Sequence, residues 1–259
     1  MGRDDFRDEL GSLHDDIRDE LGSLRDDFRD ELGYLRDEAA VLLETYLARP
    51  VLRGVSHLVG FFTALGAVLA LALQAGAAIQ LVASLVYGAG LALALGTSAL
   101  YHRIRWRPAA YHRIRKLDHS MIYVLIASSS TPIALLALDG TWRIAVLAGI
   151  WGLAALGITL RWLIDNQPRW LLVSTYIGTG WAGVALLPAL REMSSTGFSL
   201  VVVAGVLYTV GGFVYLLQRP NPLPRWFGFH EVFHALVVAA ATCHFLAVWP
   251  LVTRPLGPA

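Results

Sequence analysis

Seven stretches of this chain are apolar and long enough to cross the ~30 Å hydrocarbon core of a bilayer as helices. They lie near residues 54–74, 78–101, 117–138, 143–162, 170–189, 197–217 and 229–250. Nothing else in the sequence narrows the fold so far. A segment in lipid has no water to satisfy its backbone, and a helix satisfies it internally. The predicted fold is therefore all-α, a seven-transmembrane helical bundle. Pro132 inside the third stretch predicts a kink there, because proline removes a helix hydrogen bond. Composition agrees: 56% of the 259 residues are hydrophobic and only 16% are charged, where a soluble domain carries about 25%.

Lys and Arg set the orientation of such a bundle. The connection after the second stretch carries Arg103, Arg105, Arg107, Arg113, Arg115 and Lys116. Those after the fourth and sixth carry Arg161, Arg169, Arg219 and Arg225, while the opposite side has only Arg143, Arg191 and Arg254. Ten against three predicts a cytoplasmic N-terminus and an external C-terminus. The acidic N-terminus lacks the apolar core of a cleavable signal peptide, so the chain is expected to enter the membrane through its own helices. Cys243 is the single cysteine, which excludes an intramolecular disulfide and a cysteine-rich metal site. The basic residues sit between apolar runs, so no nucleic-acid partner is expected.

The net charge of +1 hides two regions. Residues 1–40 hold fourteen acids and six bases, a net of −8, and the other 219 hold six acids and fifteen bases, a net of +9. The chain is thus expected to divide into an acidic N-terminal segment, 1–49, and a membrane domain, 50–259. Within the first, RDDFRDELGSL (3–13), HDDIRDELGSL (14–24) and RDDFRDELGYL (25–35) repeat with a period of 11. Phe6, Leu10, Leu13, Ile17, Leu21, Leu24, Phe28, Leu32 and Leu35 fall at spacings of 4 and 3, one stripe on a helix. Eleven residues in three turns is ~3.67 per turn, so a coiled coil of such helices winds right-handedly. Gly11, Gly22 and Gly33 each cost about 1 kcal/mol against Ala. A cytoplasmic amphipathic helix follows, with self-association through residues 3–35, docking on another protein or contact with lipid as its possible uses. Its acidity disfavours anionic lipid.

The polar residues at the span ends carry the chemistry. Ser98 and His102 end the second span, Asp118 and His119 open the third, His230, Glu231 and His234 open the seventh, and His57 opens the first. The charge-based topology, assigned without them, puts all of these at the cytoplasmic level. His230 and His234 are four apart, on one helix face and one turn from each other. Two imidazoles so placed can grip one metal ion, and Ser98 and His102 share the spacing. Zinc suits imidazole, and a catalytic site takes three protein ligands and a water. Asp118 is placed to hold that water, accept its proton or orient a histidine. Ionisable residues within spans are rare and tend to be functional. YHRIR occurs at 101–105 and again at 111–115. Position 108, four before His112, is proline, so His112 reads as a solvated loop residue. His244 lies ten residues beyond His234, about 15 Å along the helix, and reads as a buried, hydrogen-bonded histidine. Cys243 reads as packing.

His230-Glu231-Val232-Phe233-His234 also fits the H-E-x-x-H pattern of zinc proteases, with Glu231 as general base. The Leu138-Asp139-Gly140 that an intramembrane protease would add precedes it and lies on the outward side. A second likeness covers far more of the chain. Ser98-Ala-Leu-Tyr-His102, Leu117-Asp118-His119-Ser120, Thr131-Pro132 and His230-Glu-Val-Phe-His234 with ALVVAAATCHF behind it strongly resemble the haemolysin III family. That family lies within the progestin and adipoQ receptor group. Ser56-His57-Leu-Val-Gly60 is similar to the start of its first span, and the likeness runs over roughly residues 50–250.

The resemblance implies seven helices in a bacterial plasma membrane, with a Zn2+ site near the cytoplasmic side. Its zinc histidines fall on His102, His230 and His234, its serine on Ser98 and its aspartate on Asp118. Related adiponectin receptors are associated with zinc-dependent hydrolysis of ceramide-like lipid amides. The function it implies is a zinc-dependent hydrolase of a membrane lipid amide, in which Asp118 takes or relays the proton and Ser98 donates a hydrogen bond. The rival reading is a non-catalytic receptor or sensor, its zinc a structural clamp on spans 2, 3 and 7. A pore-forming cytolysin is a third.

Overall fold

The computed structural model describes residues 3–43 and 50–255. Residues 44–49, where the two expected segments join, lie outside it, as do the side chains of Phe6 and Leu10. The chain forms two compact units, Met1–Arg49 and Pro50–Ala259. In the first, α1 (Arg3–Leu42) is one continuous helix of 40 residues. The described stripe residues are all exposed, among them Leu21, Leu24 and Phe28 at 60–63%.

The second unit is an integral membrane bundle. It comprises α2 (Val55–Leu73), α3 (Ala78–Arg103), α4 (Pro108–Ala137), α5 (Gly140–Leu163), α6 (Arg169–Trp181), α7 (Leu187–Arg191), α8 (Ser195–Leu217) and α9 (Phe229–Thr253). A 3-10 turn, Ala182–Leu186, joins α6 to α7. Counting α6 through α7 as one crossing, seven helical segments are long and apolar enough to span a membrane. The seven sequence stretches are thus all present.

Two local features differ from the sequence reading, with proline behind both, and Pro132 makes a third point of comparison. First, α4 starts at Pro108, about nine residues earlier than expected. A proline in the first helical turn has its φ preset and no N–H to waste. His112 therefore sits on a helix rather than in a loop, though it is exposed as expected. Second, α4 continues through Pro132. Ser128, Ser129, Ser130 and Thr131 turn their hydroxyls back onto carbonyls three or four residues earlier, so their polar groups are satisfied within the helix. Third, the fifth crossing is interrupted by the 3-10 turn. Pro188 cannot donate to residue 184 and its ring crowds that carbonyl, and the preceding turns hold Gly178, Gly180 and Gly183.

Small residues set the helix crossings, as is usual where lipid supplies no hydrophobic drive for association. A Cβ on Gly88 of α3 would overlap Val68 of α2, one on Gly90 would overlap Ser128 of α4, and one on Gly157 of α5 would overlap the Tyr123 ring. The Tyr123 hydroxyl lies 2.6 Å from Thr175 Oγ1, tying α4 to α6. α3 packs between α2 and α4, and α8 lies along α9.

Gly157 and Gly152 give a direct test of this packing. Both are on α5, but Gly152 has open space around it. Gly157→Val should destabilise the detergent-solubilised protein by about 1–3 kcal/mol, the usual cost of overpacking, and lower its Tm. Gly152→Val should leave Tm nearly unchanged. Equal Tm values for the two variants would contradict the crossing described.

Candidate metal centre

α9 begins where its own third residue caps it. The Glu231 carboxylate accepts from the Gly228 amide at 2.8 Å, one arm of a capping box, and Asn221 Oδ1 accepts from the Phe229 amide at 3.2 Å. Glu231, 2% exposed, also takes an ion pair from Arg53, in the turn before α2. Backbone bonds from Val51 and Leu52 to the carbonyls of Arg225 and Trp226 dock that turn on the segment leading into α9. Gly54 completes the joint. Its φ of 76° favours glycine, and a Cβ there would lie 2.6 Å from the His102 Cβ. This scaffold fixes the starts of α2 and α9 against the end of α3.

Three imidazoles meet at that joint. His102 closes α3, and His230 and His234 stand on the first two turns of α9. One ligand nitrogen from each lies within 4.8 Å of the others. The Nε2 atoms of His102 and His230 are 3.1 Å apart. His102 and His234 are 5% and 1% exposed. Asp118 Oδ2, from the third turn of α4, is 4.0 Å from His102 Nε2, and the Ser98 hydroxyl lies beside the Asp118 carboxylate. The sequence-predicted set of Ser98, His102, Asp118, His230 and His234 thus comes together from three helices.

The residues fit a metal ion. Two ring nitrogens about 3 Å apart match neighbouring ligands on a tetrahedral zinc, whose Zn–N bonds of 2.0–2.1 Å put them roughly 3.3 Å apart. His234 Nδ1 is buried without a hydrogen-bond partner among the described residues. Three imidazoles near a carboxylate, with no thiolate, form a donor set suited to zinc and to other borderline divalent ions.

Other polar residues fall elsewhere. His119 turns away from the triad: its Nδ1 accepts from Arg161 Nε at 3.2 Å, and its carbonyl accepts from the Tyr176 hydroxyl at 2.9 Å. Glu231 is occupied by Arg53 and the Gly228 amide, so it does not serve the site as the base of an H-E-x-x-H protease would. Asp139 pairs with Arg143, at the far end of α4 from the triad. His244 is buried and within 2.8 Å of the Ser129 carbonyl, as a hydrogen-bonded core histidine would be. His57 was the residue left without a role. Its ring stacks flat on His234, centroids 3.8 Å apart and planes 6° apart. Neither of its nitrogens has a partner among the described residues. Only its position at a span start hinted at this.

A cavity of about 370 Å³ runs from His230 and His234 into the bundle. Its polar end is Ser98, Asp118, His230 and His234, and most of its wall is apolar, including Leu125, Ile133, Val173 and Val237. Trp181, Val184 and Val206 line it too, yet each is more than half exposed on the outside of the bundle. Between the 3-10 turn and α8 the wall is therefore only a side chain thick.

Comparison with known proteins identifies the family. The chain matches the Haemolysin-III related family over residues 45–245. It is 32% identical to Hemolysin-3 of Bacillus cereus over 217 residues, 82% of this chain and 95% of that one. It is 30% identical to the Hemolysin-3 homolog of Bacillus subtilis (strain 168), covering 76% and 92% of the two chains. Similarity extends to an adiponectin receptor protein of Drosophila melanogaster, 27% identical over 73% of this chain and 48% of that one. The convergent histidines, the seven crossings and these matches together make the chain a member of the haemolysin III family, within the progestin and adipoQ receptor group.

Proposed function

We propose that this protein is a zinc-dependent hydrolase of lipid amides, with His102, His230 and His234 as the metal ligands. The observation that carries the reading is the cavity, where His230 and His234 of the triad meet Asp118 and Ser98 at one end and the remaining wall is mostly apolar. An amide with a long acyl chain matches that polarity: the chain fills the apolar length and the amide meets the polar end. The thin wall beside α8 is the side from which a lipid would enter.

Zinc, when bound, supplies Lewis acidity that lowers the pKa of a water toward ~7 and polarises a carbonyl. The chain's own groups do the rest. The water oxygen adds to the amide carbon while its proton passes to the Asp118 carboxylate. Ser98 donates a hydrogen bond to the carbonyl oxygen as negative charge develops there. Asp118 then returns the proton to the amide nitrogen as the C–N bond breaks, leaving a fatty acid and an amine. The apolar wall excludes bulk water and strengthens these interactions. His57, stacked on His234, fixes that ring's plane. In this reading the site faces the cytoplasm, following the ten-to-three distribution of basic residues.

Metal content and turnover test the two halves separately. His102→Ala, His230→Ala and His234→Ala should each strip zinc from the purified protein and lower Tm, because a ligand that binds only the folded state stabilises it. His112→Ala, in the same YHRIR context, should do neither. Three histidine variants that all retain stoichiometric zinc would remove the site.

Asp118→Ala should keep metal, weakened about 10–100-fold. Its release of fatty acid from ceramide-like amides should fall by about 10²–10⁴-fold, the usual contribution of a general base. Wild-type protein that holds zinc but releases no fatty acid from any lipid amide would instead make the zinc a clamp and the chain a receptor.

A further inference from the structure

We propose that α1 zips to the α1 of a second copy of this chain, in parallel, as a right-handed coiled coil. The argument starts from where the charges stand around the apolar stripe. At eleven residues per three turns each residue advances ~98°. Take Ile17 and Phe28 as the centre of the stripe. Leu21, Leu32, Leu24 and Leu35 then lie within roughly 35° of it. Arg25 and Arg36 follow at about 65° to one side, and Arg18 and Arg29 at about 100° on that same side. On the other side, Glu20 and Glu31 stand at about 65°, and Asp16 and Asp27 at about 100°. His14 extends the basic edge and Glu38 the acidic one. The far face is filled by Asp19, Asp26, Asp30 and Asp37 with the glycines, a solvated back.

The stripe is therefore bordered by one wholly basic edge and one wholly acidic edge. In a parallel pair the left edge of one helix faces the right edge of its neighbour, so every border contact joins Arg to Asp or Glu. In an antiparallel pair each edge meets its own kind and repels it, as like charges do beside a coiled-coil seam. The surface is thus self-complementary in one orientation only. A second copy is also the partner that the membrane presents. Copies inserted in one orientation send α1 out on the same side, and confinement to the bilayer raises their effective concentration. The stripe is uncovered, with Leu13, Leu21, Leu24, Phe28, Leu32 and Leu35 each at least 50% exposed. The arginines at its border are free to reach outward: Arg25 and Arg29, 71% and 73% exposed, touch only Asp26 behind them among the described residues.

The test uses the full-length protein in lipid nanodiscs and charge-swapped pairs. One variant reverses the basic edge (Arg18→Glu, Arg25→Glu, Arg29→Glu, Arg36→Glu), and another the acidic edge (Asp16→Arg, Glu20→Arg, Asp27→Arg, Glu31→Arg). Wild type is expected to run as an oligomer by native mass spectrometry and each variant alone as a monomer. The two co-expressed should recover a mixed oligomer, a rescue that misfolding could not produce. Orientation is read from Leu35→Cys in a Cys243→Ser background, where a parallel pair on oxidation links position 35 to position 35 and an antiparallel pair sets it against the first repeat. The proposal is overturned by a monomeric wild type, including one whose α1 is held on lipid. It is equally overturned by reversed variants that keep the wild-type oligomer, by failure of the mixture to reassemble, or by an oligomer that forms no 35–35 disulfide.

Discussion

An imidazole nitrogen buried in an apolar bundle must find a partner, and most of the architecture of residues 50–255 is arranged around that demand. Leaving a buried polar group unsatisfied costs about 1–3 kcal/mol. At the triad, His234 Nδ1 and both nitrogens of the stacked His57 have no hydrogen-bond partner among the described residues, beside His102 and His230. Hydrogen bonds account for His119 and His244, through Arg161 and the Ser129 carbonyl. For the triad the donors face each other across a gap of metal-ligand size. Three such nitrogens with a carboxylate nearby could hold a divalent cation.

The surrounding structure keeps that gap from collapsing. Arg53, partly buried, pairs with the buried Glu231 at the junction of α2 and α9, with the Gly228 amide as a further bond. Such a pair is weak support for global stability, because desolvation offsets much of its attraction. Its effect here is geometric: it sets the first turn of α9, and hence the two histidines on it. Breaking one partner leaves a buried charge beside the site. The glycine crossings at Gly88, Gly90 and Gly157 let α2, α3, α4 and α5 approach closely. They bring His102 and Asp118 to a common depth while the interior beyond stays open as the cavity.

What the sequence disclosed follows the range of the physics involved. The seven crossings are local, each a run of apolar residues, and were legible. So were His230 and His234, whose four-residue spacing fixes one helix face. His102 was separable from His112 because Ser98 precedes one and Pro108 the other. Proline was harder. Pro132 and Pro188 look alike in sequence, yet the fifth crossing turns 3-10 just before Pro188 while α4 is helical through Pro132. The start of α4 at Pro108 was hidden because basic residues there read as a loop. Least legible were contacts between distant segments. Nothing in the order of residues pairs Arg53 with Glu231, 178 positions away, or stacks His57 on His234.

The chain thus joins two devices with separate logic: a membrane domain shared with its haemolysin III relatives, and an acidic repeat helix that stands ahead of the matched region. The central claim is the metal, and its coordination can be read directly. Zinc K-edge X-ray absorption on the purified protein should show four light-atom ligands at about 2.0–2.1 Å, with the outer-shell scattering of three imidazole rings. A protein that binds no zinc, or one whose zinc sits in a six-oxygen shell without imidazole scattering, would contradict the account.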